Sequence, residues 1–164
     1  MAVNYFCSGF DKENAFWQEL GDRLREDLPS QNRIVFIPGS TKKEKIDKTI
    51  NEKILTFLDS FKNKEYEVLF VTGKNFYESV RNLKVSDNVK IVPFIDNLSR
   101  VMKVTDVMVS RSGASTISEI TVLKVPTIFI PSPYVTNNHQ YKNAMDLVNK
   151  NCALIIEEDK LTNE

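Results

Sequence analysis

Asp106-Val-Met-Val-Ser-Arg-Ser-Gly-Ala-Ser-Thr-Ile-Ser-Glu-Ile-Thr-Val-Leu-Lys-Val-Pro-Thr-Ile-Phe-Ile130 reads as strand, small polar loop, helix and second strand within one stretch. Its end segments, Asp106–Ser110 and Thr127–Ile130, are short apolar runs bounded by turn residues. Ile117, Ile120 and Leu123 between them recur at helical spacing. Thr127-Ile-Phe-Ile130 is apolar without alternation, as is Val68-Leu-Phe-Val71, and that suits strands covered on both faces, as in parallel sheets. The stretch is a β-α-β unit.

The same alternation runs outward in both directions. Further strand candidates are Val3–Cys7, Ile34–Ile37, Glu67–Thr72, Val89–Val92 and Ala153–Ile156. Apolar stripes at Phe16, Leu20 and Leu24, and at Ile46, Ile50, Ile54 and Leu58, mark amphipathic helices between them. The expected fold is α/β: a three-layer, Rossmann-like, open and mostly parallel sheet of about seven strands, helices on both faces, in a single domain over 1–164. Ligands of such sheets sit beyond the carboxyl ends of the strands, so function is sought in the loops that follow them.

Composition narrows the chemistry. Lys+Arg and Asp+Glu are equal at 22 each among 164 residues, which leaves no net field for a polyanion and argues against a nucleic-acid partner. No apolar run approaches the roughly 20 residues that cross a bilayer, and the start lacks a signal-peptide pattern, so a cytoplasmic chain is expected. Cys7 and Cys152 lie at opposite ends without C-x-x-C spacing beside one histidine, which argues against a zinc site or a disulfide framework and makes both cysteines buried fillers. None of the five glycines forms a dinucleotide fingerprint or a Walker loop. No metal, cofactor or catalytic residue is expected.

Three loops carry the candidate chemistry. In Ser110–Glu119 a helix begins directly after a strand, and its unpaired N–H groups and macrodipole suit an anion such as a diphosphate. Gly113 admits close backbone approach, Ser112, Ser115 and Thr116 add hydroxyls, and Glu119 lies one turn on to accept from a sugar diol. The alternative is a capping box, Thr116-x-x-Glu119 or Ser115-x-x-Ser118, with Arg111 paired at the surface. The second loop gathers Asn137, Asn138, His139, Gln140 and Asn143 ahead of a helix over 140–150. Amides suit sugar hydroxyls, although the same residues also make an ordinary polar turn. In the third, Pro93-Phe-Ile-Asp-Asn97, Phe94 either lies against a base, with the Ile95 backbone pairing to its edge, or is the lid of the core. Pro38-Gly-Ser-Thr41 ahead of Lys42, Lys43 and Lys45 offers a further anion contact or a solvated helix end.

Taken together, Leu69-Phe-Val-Thr-Gly73, Val92-Pro-Phe-Ile-Asp-Asn97, Val109-Ser-Arg-Ser-Gly-Ala-Ser-Thr-Ile-Ser-Glu-Ile120, Pro126-Thr-Ile-Phe-Ile-Pro-Ser-Pro133 and Asn137-Asn-His-Gln-Tyr-Lys-Asn-Ala144 resemble the C-terminal, donor-binding half of the MurG glycosyltransferases, from about Asn51 onward. The resemblance implies a two-domain GT-B enzyme of peptidoglycan synthesis that needs no metal and acts at the inner face of the plasma membrane, with this half holding UDP-N-acetylglucosamine. It implies that Phe94 and Ile95 contact uracil, that Glu119 accepts from the ribose, and that Ser112, Gly113, Ala114, Ser115 and Thr116 bind phosphate. His139, Gln140 and Asn143 would form the sugar-side loop, and Arg111 would orient that helix start or touch phosphate. Where the family has a glycine-rich loop after the first strand, this chain reads Ile37-Pro-Gly-Ser-Thr-Lys-Lys43. Ser40 survives as a donor contact, but proline and lysines weaken the row of donors. Residues 1–48 carry none of the motifs and distantly resemble the opening of a peptidase-E-like α/β domain, which implies a recombined chain with a joint near 42–50.

The reading is therefore a UDP-N-acetylglucosamine- or UDP-binding domain, inactive alone because the acceptor half is missing. Two alternatives stand beside it: a recombined scaffold with a vestigial site, and a donor-binding subunit of a two-chain N-acetylglucosaminyltransferase that docks on an acceptor-binding partner.

Overall fold

The computed structural model describes residues 34–38, 44–64 and 66–161, with side chains described from residue 49 onward. Six strands, β1 (Ile34–Pro38), β2 (Glu67–Val71), β3 (Val89–Val92), β4 (Val107–Ser110), β5 (Thr127–Phe129) and β6 (Ala153–Ile155), form one sheet in the order β3-β2-β1-β4-β5-β6. Every pairing is parallel, with Val35 opposite both Val68 and Val107 at the centre. Five helices connect them: α1 (Glu44–Phe57), α2 (Lys74–Val80), α3 (Leu98–Met102), α4 (Ala114–Leu123) and α5 (His139–Val148). The candidate strand Val3–Cys7 and the stripe Phe16, Leu20 and Leu24 lie outside the described residues.

The apolar runs lack alternation because both faces of the sheet are covered. On one face Ile50 and Ile54 of α1, with Leu58 in the turn just after it, pack on Val68, Phe70, Val89 and Ile130. On the other, Val71, Met108 and Phe129 pack with Met102 of α3, Ile120 of α4 and Ala144 of α5. Neighbours within one strand thus serve opposite layers: Phe70 goes to the first and Val71 to the second. Phe70 and Phe129 are fully buried, and each large apolar side chain so placed contributes roughly 1.5–3 kcal/mol.

Local chemistry sets the element ends. Gly73, with φ 80° and ψ 152°, precedes α2 in a conformation that L side chains avoid, and its carbonyl accepts the Tyr77 amide. Asn97 caps α3 through its Oδ1, which accepts the Arg100 amide at 3.1 Å. Lys124 closes α4 in the left-handed region, and Pro126 then directs the chain into β5. Cys152 is half-buried at the turn into β6, and Cys7 lies outside the described residues.

Candidate functional site

The strand order reverses between β1 and β4: β2 and β3 extend from one side of that point and β5 and β6 from the other. At such a switch point the loops diverge above the carboxyl edge and leave a crevice. One wall is the loop after β4, Arg111-Ser112-Gly113, which feeds α4. Residues 39–43, which follow β1 in sequence and include Ser40, lie outside the described residues.

The start of α4 has no side-chain cap. Gly113 is the capping position, with φ −65° and ψ 150°, and its carbonyl accepts the Ile117 amide at 3.0 Å. Ala114, Ser115 and Thr116 form the first turn, so the capping box does not form: Ser115 and Thr116 lie too far into the helix, and Ser118 Oγ donates back to the Ala114 carbonyl at 3.0 Å. Ala114 and Ser115 are exposed and Thr116 is half-buried. A Cβ added at Gly113 would meet no atom closer than Thr116 Oγ1 at 3.9 Å. Neither backbone strain nor packing requires glycine there. Glu119 is exposed further along α4 and has no ion pair with another described residue.

The amide-rich loop is cross-braced to this helix start. Ser112, fully buried, donates from Oγ to the Gln140 carbonyl at 2.8 Å, and its own carbonyl accepts from Asn143 Nδ2 at 3.3 Å. Gln140 Oε1 accepts the Ser132 amide at 2.8 Å, which ties α5 to the end of β5. Part of the hydrogen-bonding capacity assigned from sequence to a sugar therefore holds the loops together. Asn137 and Asn138 both lie in the left-handed region, which asparagine tolerates better than most residues, and deliver the chain into α5 at His139. His139 is exposed, and its Nδ1 lies 2.9 Å from the Thr136 carbonyl. A carbonyl accepts only, so Nδ1 carries a proton; in the neutral ring Nε2 is then an acceptor.

Arg111 points into a buried setting. Its Nη1 donates to the Ile130 carbonyl at 3.0 Å, and its Nη2 pairs with Glu158 at 2.5 Å. Both side chains of that pair are almost wholly buried, so the surface pairing considered from sequence is not what forms.

At the carboxyl end of β3, Phe94 is 50% exposed, with Lys74 Nζ 6.0 Å from its ring centre. It is not the lid of the core. Its neighbour Ile95 serves that purpose and packs on the cluster that includes Ile117 and Ile120 of α4. Phe94 is thereby carried at the rim, on the helix layer to which α4 belongs.

No motif marks Glu158 or Asn51. Asn51, buried on α1, donates from Nδ2 to the Thr72 carbonyl at 3.0 Å and fixes the end of β2. Arg111 directly follows an apolar strand, whereas Glu158 lies three residues past β6 beside Glu157 and carries no sequence signal that separates the two. Among the described residues, no group of His, Cys, Asp or Glu could hold a metal ion, and no helix is long and apolar enough to cross a membrane.

Comparison with known proteins bears on the family and the fold. The glycosyltransferase family 28 C-terminal domain matches residues 33–164. The chain is 44% identical over 144 residues to the UDP-N-acetylglucosamine--N-acetylmuramyl-(pentapeptide) pyrophosphoryl-undecaprenol N-acetylglucosamine transferase of Limosilactobacillus reuteri, covering 84% of this chain and 37% of that protein. The transferase of the same name from Leuconostoc citreum is 38% identical, with 93% of this chain and 41% of that protein covered. The likeness therefore extends upstream of residues 42–50, into the stretch that the motifs alone leave unmatched. The chain spans about two fifths of the length of these relatives. In structure it is similar to Acinetobacter baumannii MurG, with TM-score 0.69 and 23% identity over 82% of this chain and 41% of that one. It is also similar to the glycosyltransferase VinC in complex with dTDP, with TM-score 0.63 and 21% identity over 86% of this chain and 32% of that one. These likenesses place the fold among glycosyltransferases. The chain belongs to the glycosyltransferase family 28 C-terminal domain family.

Proposed function

We propose that the chain binds UDP-N-acetylglucosamine, and UDP alone, across the carboxyl edge of its sheet, as the donor-binding part of a MurG-type N-acetylglucosaminyltransferase. The observation that carries this reading is the start of α4: a helix mouth without a side-chain cap, whose capping residue is a glycine that the fold itself does not need. The diphosphate is assigned to the amides of Gly113, Ala114, Ser115 and Thr116, where the partial positive charge of the helix is greatest. Ser112, being buried and doubly bonded, acts on the ligand through the loop it fixes.

Glu119 is assigned to the ribose hydroxyls, Phe94 to one face of uracil and the Ile95 backbone to its edge. His139 Nε2, Gln140 Nε2 and Asn143 Oδ1 are the atoms of the second loop that remain for the sugar, since their other polar atoms already bond within the chain. Arg111 is assigned the orienting role, because its guanidinium already serves Ile130 and Glu158. Ser40, which lies outside the described residues, is retained as a donor contact on the sequence resemblance alone.

Transfer requires that donor and acceptor be held in attack geometry, and such orientation supplies about 7–11 kcal/mol of the barrier in well-aligned reactions. The acceptor-binding part is assigned to a separate domain or subunit, and the chain alone is expected to bind without transferring. Calorimetric titration with UDP-N-acetylglucosamine, UDP and ATP tests the reading. Heats for the two uridine ligands and none for ATP support it, whereas equal heats for all three, or none at all, refute it.

A further inference from the structure

Glu158 lies just past β6, at the far side of the sheet from the base platform, yet it is 95% buried and its carboxylate meets the Arg111 guanidinium at 2.5 Å. Arg111 is the first residue after β4, and its second anchor is the Ile130 carbonyl, the first after β5. One guanidinium thus ties together the chain beyond three adjacent strands, β4, β5 and β6, at the edge where the crevice opens. The main chain of Glu158 is held as well, because its carbonyl accepts from Lys53 Nζ of α1. From this latch the chain runs directly through Ser112 to Gly113, and from Ile130 it reaches Ser132, which Gln140 holds. Both walls of the sugar-side loop are therefore referenced to a single buried ion pair.

An ion pair taken out of water pays a desolvation cost that a pair of apolar side chains would avoid, so its presence is not explained by stability alone. What charge provides here is a close contact that apolar side chains would not make: a guanidinium whose Nη1 donates to the Ile130 carbonyl is drawn against a buried carboxylate as an ion pair. We propose that Glu158 is a positioning residue for the donor site, which fixes Arg111 and, through it, the start of α4. The inference rests on the donor-site reading above for its consequence in binding, but the latch itself has a readout that needs no ligand.

The test compares the wild-type chain with Glu158→Gln and with the double variant Arg111→Met, Glu158→Leu, which leaves no buried charge stranded. Ile54→Val, on the opposite layer, serves as a control for general destabilisation. Hydrogen exchange is followed at the amides of Ile117, Ile130 and Ser132, each hydrogen-bonded beside the latch, and at Val68 on β2. In Glu158→Gln, exchange is expected to rise at least tenfold at the first three and to stay level at Val68, and UDP affinity is expected to fall about tenfold. The double variant is expected to regain the melting temperature without regaining UDP affinity. Uniform acceleration like that of Ile54→Val, or a UDP Kd within twofold of wild type, overturns the proposal. Should Glu158→Gln fail to fold, the double variant carries the same comparison. A wild-type chain that binds no UDP sinks the donor-site reading, while the exchange pattern still decides whether Glu158 holds the loop.

Discussion

Replacing Gly113 with alanine separates what the fold needs from what a ligand needs. The residue sits at φ −65° and ψ 150°, where any L residue is comfortable, and the added methyl would meet only Thr116 Oγ1 at 3.9 Å, an ordinary contact. Removing a glycine from the unfolded chain stabilises by about 0.4–1 kcal/mol. Alanine is a poorer helix cap than glycine by roughly the same amount, so Gly113→Ala is expected to change stability by less than about 1 kcal/mol. The effect on a diphosphate is different. Oxygens bound to charged or polarised amides sit about 2.7–2.9 Å from the nitrogen, and a methyl group over the mouth forces at least one of them out of reach. A hydrogen bond to a charged group contributes about 1.5–3 kcal/mol, so UDP affinity is expected to fall between tenfold and about a hundredfold. Urea unfolding and calorimetric titration on the same sample measure both quantities. An unchanged Kd in a folded Gly113→Ala chain would show that the diphosphate does not approach this helix start.

The converse is expected at Gly73, whose φ of 80° with ψ 152° excludes a side chain; Gly73→Ala should cost on the order of 1–3 kcal/mol in urea unfolding, and an unchanged midpoint would contradict the backbone assignment. Glu119→Ala removes an exposed carboxylate, so the melting temperature should hold while UDP affinity falls about tenfold, and an unaltered titration curve would remove the ribose role. Phe94→Ala should lose about 1–3 kcal/mol of binding to UDP and none to inorganic pyrophosphate, with little loss of stability because the ring is half-exposed; equal losses for both ligands would remove the stacking role.

Much of the fold is legible from residue types because it follows from local rules. Runs such as Val68–Val71 and Thr127–Ile130 lack alternation because both faces are buried, and the stripe at Ile50, Ile54 and Leu58 has one sheet face to cover. The strand order is less legible, since pairing of β1 with both β2 and β4 depends on contacts between segments far apart in the chain. At the site, the motif around Gly113 was readable because helix starts have a local chemistry, but the choice between a capping box and an open mouth needed the register of α4. One residue decides it: with Gly113 at the capping position, no hydroxyl is placed to close the first turn.

The second loop shows a different limit. Gln140 and Asn143 look like free amides in sequence, yet each spends one polar atom on a backbone partner, Ser132 or Ser112, that no spacing rule connects to it. Arg111 and Glu158 illustrate the same point with charge. Each follows an apolar strand, and only the parallel arrangement of β4, β5 and β6 brings their side chains together beneath the surface.

Amide chemical shifts followed during a UDP titration of the isotope-labelled chain test the central claim most directly. The largest and earliest changes are expected at Gly113, Ala114, Ser115 and Thr116, with smaller ones at Phe94 and Ile95. Shifts confined to other parts of the chain, or none at saturating UDP, would contradict a diphosphate site at the start of α4.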